Sequence, residues 1–485
     1  MTTDDIEDLR KGIVAIDPAV SHRAIEPPAP SEIYAPSHHI AALDPDNSLV
    51  VGIRGVGKSF WAGTLGDSAA RSVAVAAYPK LQLDKFDVAF GFTGFEGGEA
   101  PSPETVQQYA TDGDTAKMFW RMVVLRAFGR QAKVVMPSSY KEMVTSFADS
   151  EIREDIMRKA EAHFQKIQKR FLLVFDALDT LSTDWKRLRL LTKALLEVTY
   201  AMRSYRSLRL KLFLRPEQLD DPAVGFTDLS KLKAGKIDLS WDSTDLYGLF
   251  FTRLANEPVS KAPFIRIARQ QEIVLKSGVN VSLPTQLTRN PGTQEKIFNQ
   301  LAGRYMGADP RKGKTFTWLP AHLADGFGFV TPRSFLKALR EAAAKSEEAE
   351  ERVLTIEGIK DGLRAASRMR VDQIKEEYQW IETALAPLSG LRVPCSEGEI
   401  VDRWRSWKAT GEIEREAKEQ GYLAPSEMPL SHVSAEHRSL REKGLLDTLL
   451  KIGVLQRRLD GRINMPDIFR IGADIIGRGR VAPEA

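Results

Sequence analysis

The sequence predicts an α/β fold: a parallel sheet, then a helical lid domain, then a winged-helix-like C-terminal domain. Three observations predict it. Short apolar runs at 48–51, 170–176 and 210–215 read as buried strands, and helical patterns at 60–65 and 185–205 alternate with them, the order that makes a parallel sheet covered on both faces. Residues 290–385 repeat their apolar positions at helical spacing. The last ninety or so residues give apolar helical stretches and then two β-like segments around the Asp460-Gly461 turn, the outline of a winged helix.

Taken in order, residues 1–40 carry Pro18, Pro27, Pro28, Pro30 and Pro36 with few apolar residues and read as an extended N-terminal arm. The strand at 48–51 opens a domain spanning 41–260. Residues 72–78 read as its next strand, 86–98 as a Gly- and Phe-rich stretch, and 115–131 and 151–169 as helices, so about 80–165 reads as an insertion. Strands at 170–176 and 210–215 flank a long helix at 185–205, residues 237–241 add a further strand, and a helix at 245–255 closes the domain. Residues 261–390 read as the helical lid or middle domain and 391–485 as the winged-helix-like tail.

At 485 residues the chain has room for two or three domains at ~100–200 residues each. Its 43% hydrophobic and 28% charged residues are those of an ordinary globular protein. The single cysteine, Cys395, excludes an internal disulfide or a multi-thiolate metal centre and suits a reducing compartment. The acidic N-terminus lacks the pattern of a secretory signal, and no apolar run approaches the ~18 residues of a membrane span, so a cytoplasmic protein is expected. A net charge of +4 does not announce nucleic-acid binding by the whole chain.

The chemistry concentrates at Gly52-Ile53-Arg54-Gly55-Val56-Gly57-Lys58-Ser59, between the strand at 48–51 and the helix that begins near Phe60. Glycines at this spacing let backbone amides turn inward around phosphate oxygens where side chains would collide. Lys58 is expected to reach the β- and γ-phosphates of ATP and Ser59 to ligate Mg²⁺, with the helix N-terminus facing the anion. Gly52, Arg54, Gly55, Val56, Gly57, Lys58, Ser59 and Phe60 are therefore the expected nucleotide-binding residues, and the sheet is expected to be of the P-loop NTPase type. Arg54 reads either as a phosphate or neighbouring-subunit contact or as an exposed loop arginine.

Asp176 ends an apolar strand, which would bring a carboxylate to the same sheet edge as the glycine loop, suited to holding Mg²⁺ through water. Asp179 either orients or deprotonates the attacking water or caps the turn before Trp185; Asp184 reads as a helix cap. Arg215, directly after the third strand, either senses the γ-phosphate or is a surface arginine before Pro216, and Arg333 either reaches over the nucleotide from the lid or does not. His163, His322, His432 and His437 show no zinc spacing, Trp241 and Trp318 read as core, and the run 345–352 reads as a solvated helix face. Residues 451–480 hold Lys451, Arg457, Arg458, Arg462, Arg470, Arg478 and Arg480 against Asp460, Asp467 and Asp474, a local +4 that offers DNA or protein binding.

The glycine loop with Leu172-Leu173-Val174-Phe175-Asp176-Ala177-Leu178-Asp179 resembles the D-x-x-D form of the second nucleotide motif in STAND and KAP-type P-loop ATPases, AAA+-related proteins of bacterial signalling and anti-phage defence. Thr331-Pro332-Arg333 is similar to a sensor-type lid arginine of that group. The resemblance implies an ATP-dependent switch coupled to homo-oligomerisation or to a partner effector protein. Ala177 stands where AAA+ proteins carry the second acid of an Asp-Glu pair, which leaves the base less defined than the metal position. The other reading is a nucleotide-dependent DNA-binding protein, initiator- or transposition-regulator-like, acting through the tail. A small-molecule kinase would not need the lid and the tail.

Overall fold

Strands β1 (Leu49–Val51), β2 (Phe86–Phe92), β3 (Arg170–Phe175), β4 (Leu208–Leu214) and β5 (Ile237–Asp238) form one sheet in the order β2-β3-β4-β1-β5. Every neighbouring pair is parallel, with Val51 opposite Leu214, Phe175 opposite Leu212 and Val50 opposite Ile237. The protein is seen in a computed structural model that describes all residues except 17, 19–25, 97–98, 277–279, 426–440, 478–480 and 483–485. It divides into two compact units: Ser21–Pro30 with Ala35–Leu239, and Met1–Val20 with Ser31–Tyr34 and Ser240–Ala485.

The sheet unit is α/β, as the alternation of strands and helices predicts. β3 is buried on both faces because helices cover both. Phe171, Leu173 and Phe175 join a core with Trp120 and Phe128 of the helix Gly113–Gln131, Phe164 of Ser150–Lys166 and Leu191 and Leu195 of Trp185–Met202. The helix Lys58–Gly66 packs on β2, β3 and β4 and buries Trp61, Ala62 and Leu65. A fully buried lysine, Lys211, projects from β4 and donates to the carbonyls of Ala42 (2.8 Å), Asp44 (2.9 Å) and Asn47 (2.7 Å), tying the segment before β1 to the sheet.

Two elements of this unit differ from expectation. Residues 72–78, read as a strand, lie mostly in the helix Ser68–Ala77, capped by Asp67, whose Oδ1 accepts the Ala70 N–H at 2.8 Å. Alanine is the strongest helix former, and Ala70 and Ala74 bury one helical face. The second sheet strand in chain order is instead β2, within the stretch read as Gly- and Phe-rich, so part of the expected insertion belongs to the sheet.

In the other unit, the helix Ser243–Asn256, read as the end of the sheet domain, packs with lid elements. Tyr247 stacks on Phe316 with centroids 4.2 Å apart and donates its hydroxyl to the Phe316 carbonyl at 2.7 Å. The N-terminal arm is not extended throughout: Thr3–Ala15 is a helix with a Thr2/Asp5 capping box, burying Ile6, Leu9 and Ile13 at helical spacing. The prolines that argued against a helix all follow it. From this helix Arg10 donates to the carbonyls of Glu347 (3.0 Å), Ala349 (2.7 Å), Arg352 (2.7 Å) and Val353 (3.3 Å). The charged run 345–352 is therefore a turn wrapped around a buried guanidinium, beyond the helix Pro332–Ala344, and not a solvated helix face.

The tail contains helices Glu397–Trp407, Ala409–Gln420 and Arg441–Lys451, then a hairpin of β7 (Gln456–Arg457) and β8 (Ile463–Asn464). Cys395 pairs with Ile463 through a single antiparallel bridge beside this hairpin. Before the tail helices, β6 (Arg392–Val393) pairs in parallel with β9 (Ile476–Gly477). Lid and tail segments lie in one unit, where the Ser367 hydroxyl donates to the carbonyls of Asp467 (3.2 Å) and Ile468 (2.9 Å). No helix among the described residues is long and apolar enough to cross a membrane.

Candidate functional site

The C-terminal ends of β1, β4 and β3 lie side by side, so the segments that leave them share one sheet edge. From β1 the chain enters the glycine loop. Gly52 continues the ladder, its N–H donating to the Leu214 carbonyl at 3.1 Å, and a Cβ there would meet Val56 Cγ1 at 2.6 Å. Gly55 and Gly57 are left-handed, at φ 81° and 105°, the conformation that favours glycine. Gly57 is also the N-cap of Lys58–Gly66 and supplies no side-chain cap, so helix geometry leaves the first-turn N–H groups without intrahelical acceptors. A Cβ on Gly57 would meet nothing within 4 Å. An open concavity lined by such amides suits the phosphates of ATP.

Lys58 folds back over the loop, its Nζ donating to the carbonyls of Gly52 (2.5 Å) and Ile53 (3.2 Å). Burial of the amine head, and then repulsion by Arg215, pull Lys58 below its ordinary value, against the attraction of Asp179, Asp176 and Glu217. Arg215, Asp179, Asp176 and Glu217 thus all lie close enough to act on the Lys58 amine. The Val56 side chain is buried, so only its backbone is available to a ligand; Arg54 is half-buried in the loop; the Phe60 ring packs edge-on against Trp61 at 5.3 Å.

Asp176 follows β3 and is buried, its N–H bonded to the Phe92 carbonyl at 3.0 Å. Burial pushes its carboxyl above the usual carboxylate range, opposed by the nearby Ser59 hydroxyl, the Ala177 N–H and Lys58. The two expected metal ligands are therefore near neighbours. One hydroxyl and one carboxylate beside a phosphate cradle is the sparse protein donor set that Mg²⁺ takes when phosphates and water complete its shell. Groups of three or more His, Cys, Asp or Glu able to hold a metal are absent among the described residues.

After Asp176 the chain turns sharply at Ala177, left-handed at φ 54°, into the 3₁₀ turn Leu178–Thr180 that carries Asp179. Asp179 accepts from Arg215, with Nη2 and Oδ2 2.5 Å apart, and Arg215 Nη1 lies 3.9 Å from Glu217 Oε1. Arg215 is largely buried and not a surface arginine. Asp184 caps the helix Trp185–Met202, its Oδ1 accepting from Lys186 N at 2.7 Å.

No family model matches the chain, and no curated protein does. Among solved structures, one described as the Aeropyrum pernix ORC1 protein in complex with DNA covers 91% of this chain and 92% of its own at 14% identity and a TM-score of 0.32. The Aeropyrum pernix ORC2 protein, described with ADPNP and ADP, covers 90% and 93% at 10% identity and a TM-score of 0.31. Scores this low leave the interpretation to the site's own geometry.

The structure brings Lys58, Ser59, Asp176, Asp179 and Arg215 together. Arg333 lies in the other unit, in the first turn of Pro332–Ala344. Two further residues escaped the sequence reading. Glu217 adds a carboxylate at the site, and Gln218 fixes the Arg215 backbone by accepting its N–H on Oε1 at 2.9 Å. The signal was present in Arg215-Pro216-Glu217-Gln218, where proline at N1 and glutamine at N3 mark a helix start, here Pro216–Asp220.

The basic stretch 451–480 divides. Arg470 is fully buried, bonded to Asp467 and to the carbonyls of Ile475 and Val481, so it cannot contact DNA as expected. Arg478 and Arg480 lie outside the described residues, as do His432 and His437. Arg457, Arg458 and Arg462 remain on the wing, with Leu459 fully exposed at its tip. Trp241 is buried near Tyr34, and Trp318 is half-buried and stacked on His322 at 3.9 Å.

Proposed function

We propose that this chain is an Mg²⁺-dependent P-loop ATPase that acts as a nucleotide-controlled switch. The observation that carries the reading is the meeting at one sheet edge of the glycine loop after β1, Asp176 after β3 and the Asp179–Arg215 pair. In this reading the amides of 55–60 and Lys58 bind the phosphates, Ser59 and Asp176 hold the ion, and Asp179 orients the attacking water and accepts its proton. Arg215 faces the γ-phosphate. The D-x-x-D resemblance supports a STAND/KAP-type, AAA+-related switch in bacterial defence or signalling, working with further copies of itself or a partner effector. Phosphate release from ATP by wild type and by Lys58→Ala tests the proposal: turnover only with Mg²⁺, and lost in the variant, supports it, whereas equal turnover in both rejects it.

A second reading is favoured by the wing. Arg457, Arg458 and Arg462, each more than two-fifths exposed, surround an exposed leucine on a hairpin whose only acid is Asp460. Arginines beside an apolar tip suit the backbone and minor groove of duplex DNA, with ATP setting when the tail binds.

A further inference from the structure

We propose that Arg215 is a latch on Asp179: while paired it occupies the carboxylate and holds it away from an attacking water, and it frees the carboxylate when a triphosphate draws the guanidinium to its γ-phosphate. The inference rests on the nucleotide reading above and adds the regulation of that site.

Both ends of the pair are anchored by backbone, which leaves the arginine side chain as the part that moves. Asp179 sits in the one-turn 3₁₀ segment Leu178–Thr180, entered through the left-handed Ala177 and closed by the Thr180 hydroxyl donating to the Ala177 carbonyl at 2.8 Å. Arg215 has its own backbone held by Gln218 and is followed by Pro216, which fixes the entry into Pro216–Asp220. Its long side chain runs from the end of β4 to Asp179 after β3, along the same sheet edge from which the glycine loop leaves β1 on the other side of β4.

The pair is chemically disabling. A carboxylate oxygen 2.5 Å from a guanidinium nitrogen has a lone pair committed to a group that stays charged at any physiological pH. In hydrolysis a water oxygen bonds to the γ-phosphorus as the bond from that phosphorus to the β,γ-bridging oxygen breaks. The electron pair leaves with the diphosphate, and the water proton passes to Asp179 and then to solvent. Arg215 occupies the Asp179 oxygen Oδ2 and so competes with that water for the carboxylate. Arg215 and Lys58 also repel each other across the site. A γ-phosphate on Lys58 offers Arg215 another anionic partner, and it competes with Asp179 for the guanidinium. Diphosphate carries no such group, so the latch distinguishes substrate from product.

A double-mutant cycle on the full chain tests the latch, using thermal unfolding of wild type, Arg215→Ala, Asp179→Asn and the double variant. It is run without nucleotide, with MgADP, and with Mg²⁺ and a non-hydrolysable ATP analogue. Arg215→Gln replaces the alanine variant if that chain does not fold. The expected result is non-additive shifts without nucleotide and with ADP, and additive shifts with the triphosphate analogue. Coupling that persists undiminished while the analogue still stabilises the wild type overturns the latch alone, and coupling lost equally with ADP overturns its γ-phosphate dependence. If neither nucleotide stabilises the wild type, the nucleotide reading falls and takes the latch with it.

Discussion

Arg215 Nη2 stands 2.5 Å from Asp179 Oδ2, joining the segment after β4 to the turn after β3 at the edge where the glycine loop begins. The pair gives Asp179 a role distinct from helix capping, which Asp184 performs. Asp179→Asn should bind ATP as wild type does yet lose turnover by ~10²–10⁴-fold, the range for removing a general base. Single-turnover phosphate release alongside equilibrium binding of a non-hydrolysable analogue checks it; unchanged release would remove Asp179 from the chemistry.

Burial pushes the Lys211 ammonium down to about 7 from 10.5, although the three carbonyls around it favour the charged form. A base with a lowered folded-state pKa leaves the unfolded chain holding more protons between about 7 and 10.5, so stability from this group rises with pH across that window. Urea midpoints of the sheet unit's transition should climb from pH 7.5 to 9.5 in wild type and climb less in Lys211→Met. That variant should also be destabilised, by ~1–3 kcal/mol for each carbonyl left without a donor.

Arg470 and Asp467 form a buried ion pair at 2.9 Å, and Arg470 also satisfies two carbonyls. Arg470→Leu should cost ~3–5 kcal/mol, the usual penalty for stranding one charge of a buried pair. Denaturant unfolding measures it. Nucleotide binding by the folded fraction should not change.

Much of the site was legible in the sequence because it is built at strand ends: a glycine loop after one apolar run, an aspartate after the next and an arginine after the third. Those three positions alone place Lys58, Asp176 and Arg215 on one edge once the sheet is parallel. The pairing of Arg215 with Asp179 was not legible, since it depends on β4 lying between β1 and β3, and strand order is not written in local periodicity. The alanine-rich helix Ser68–Ala77 and strand β2 were misread for a related reason. Short alternating apolar segments fit both periods, and burial against neighbours decides between them. Arg470 looked like a phosphate contact because net charge in a window carries no information about which side chains point inward.

If the wing serves duplex DNA, Arg457→Ala, Arg458→Ala and Arg462→Ala should each weaken binding across sequences and flatten the dependence of log affinity on log salt by ~1. Fluorescence anisotropy at several salt concentrations reads both quantities. Binding that keeps its slope in the triple variant would assign the wing to a protein contact instead.

Whether the loop from Gly52 to Ser59 binds MgATP is read by calorimetric titration of wild type and Lys58→Ala with a non-hydrolysable ATP analogue. Saturable one-site binding that needs Mg²⁺ is expected in the wild type, lost or weakened at least tenfold in the variant. Equal affinity in the two proteins, or no binding by the wild type, would contradict it.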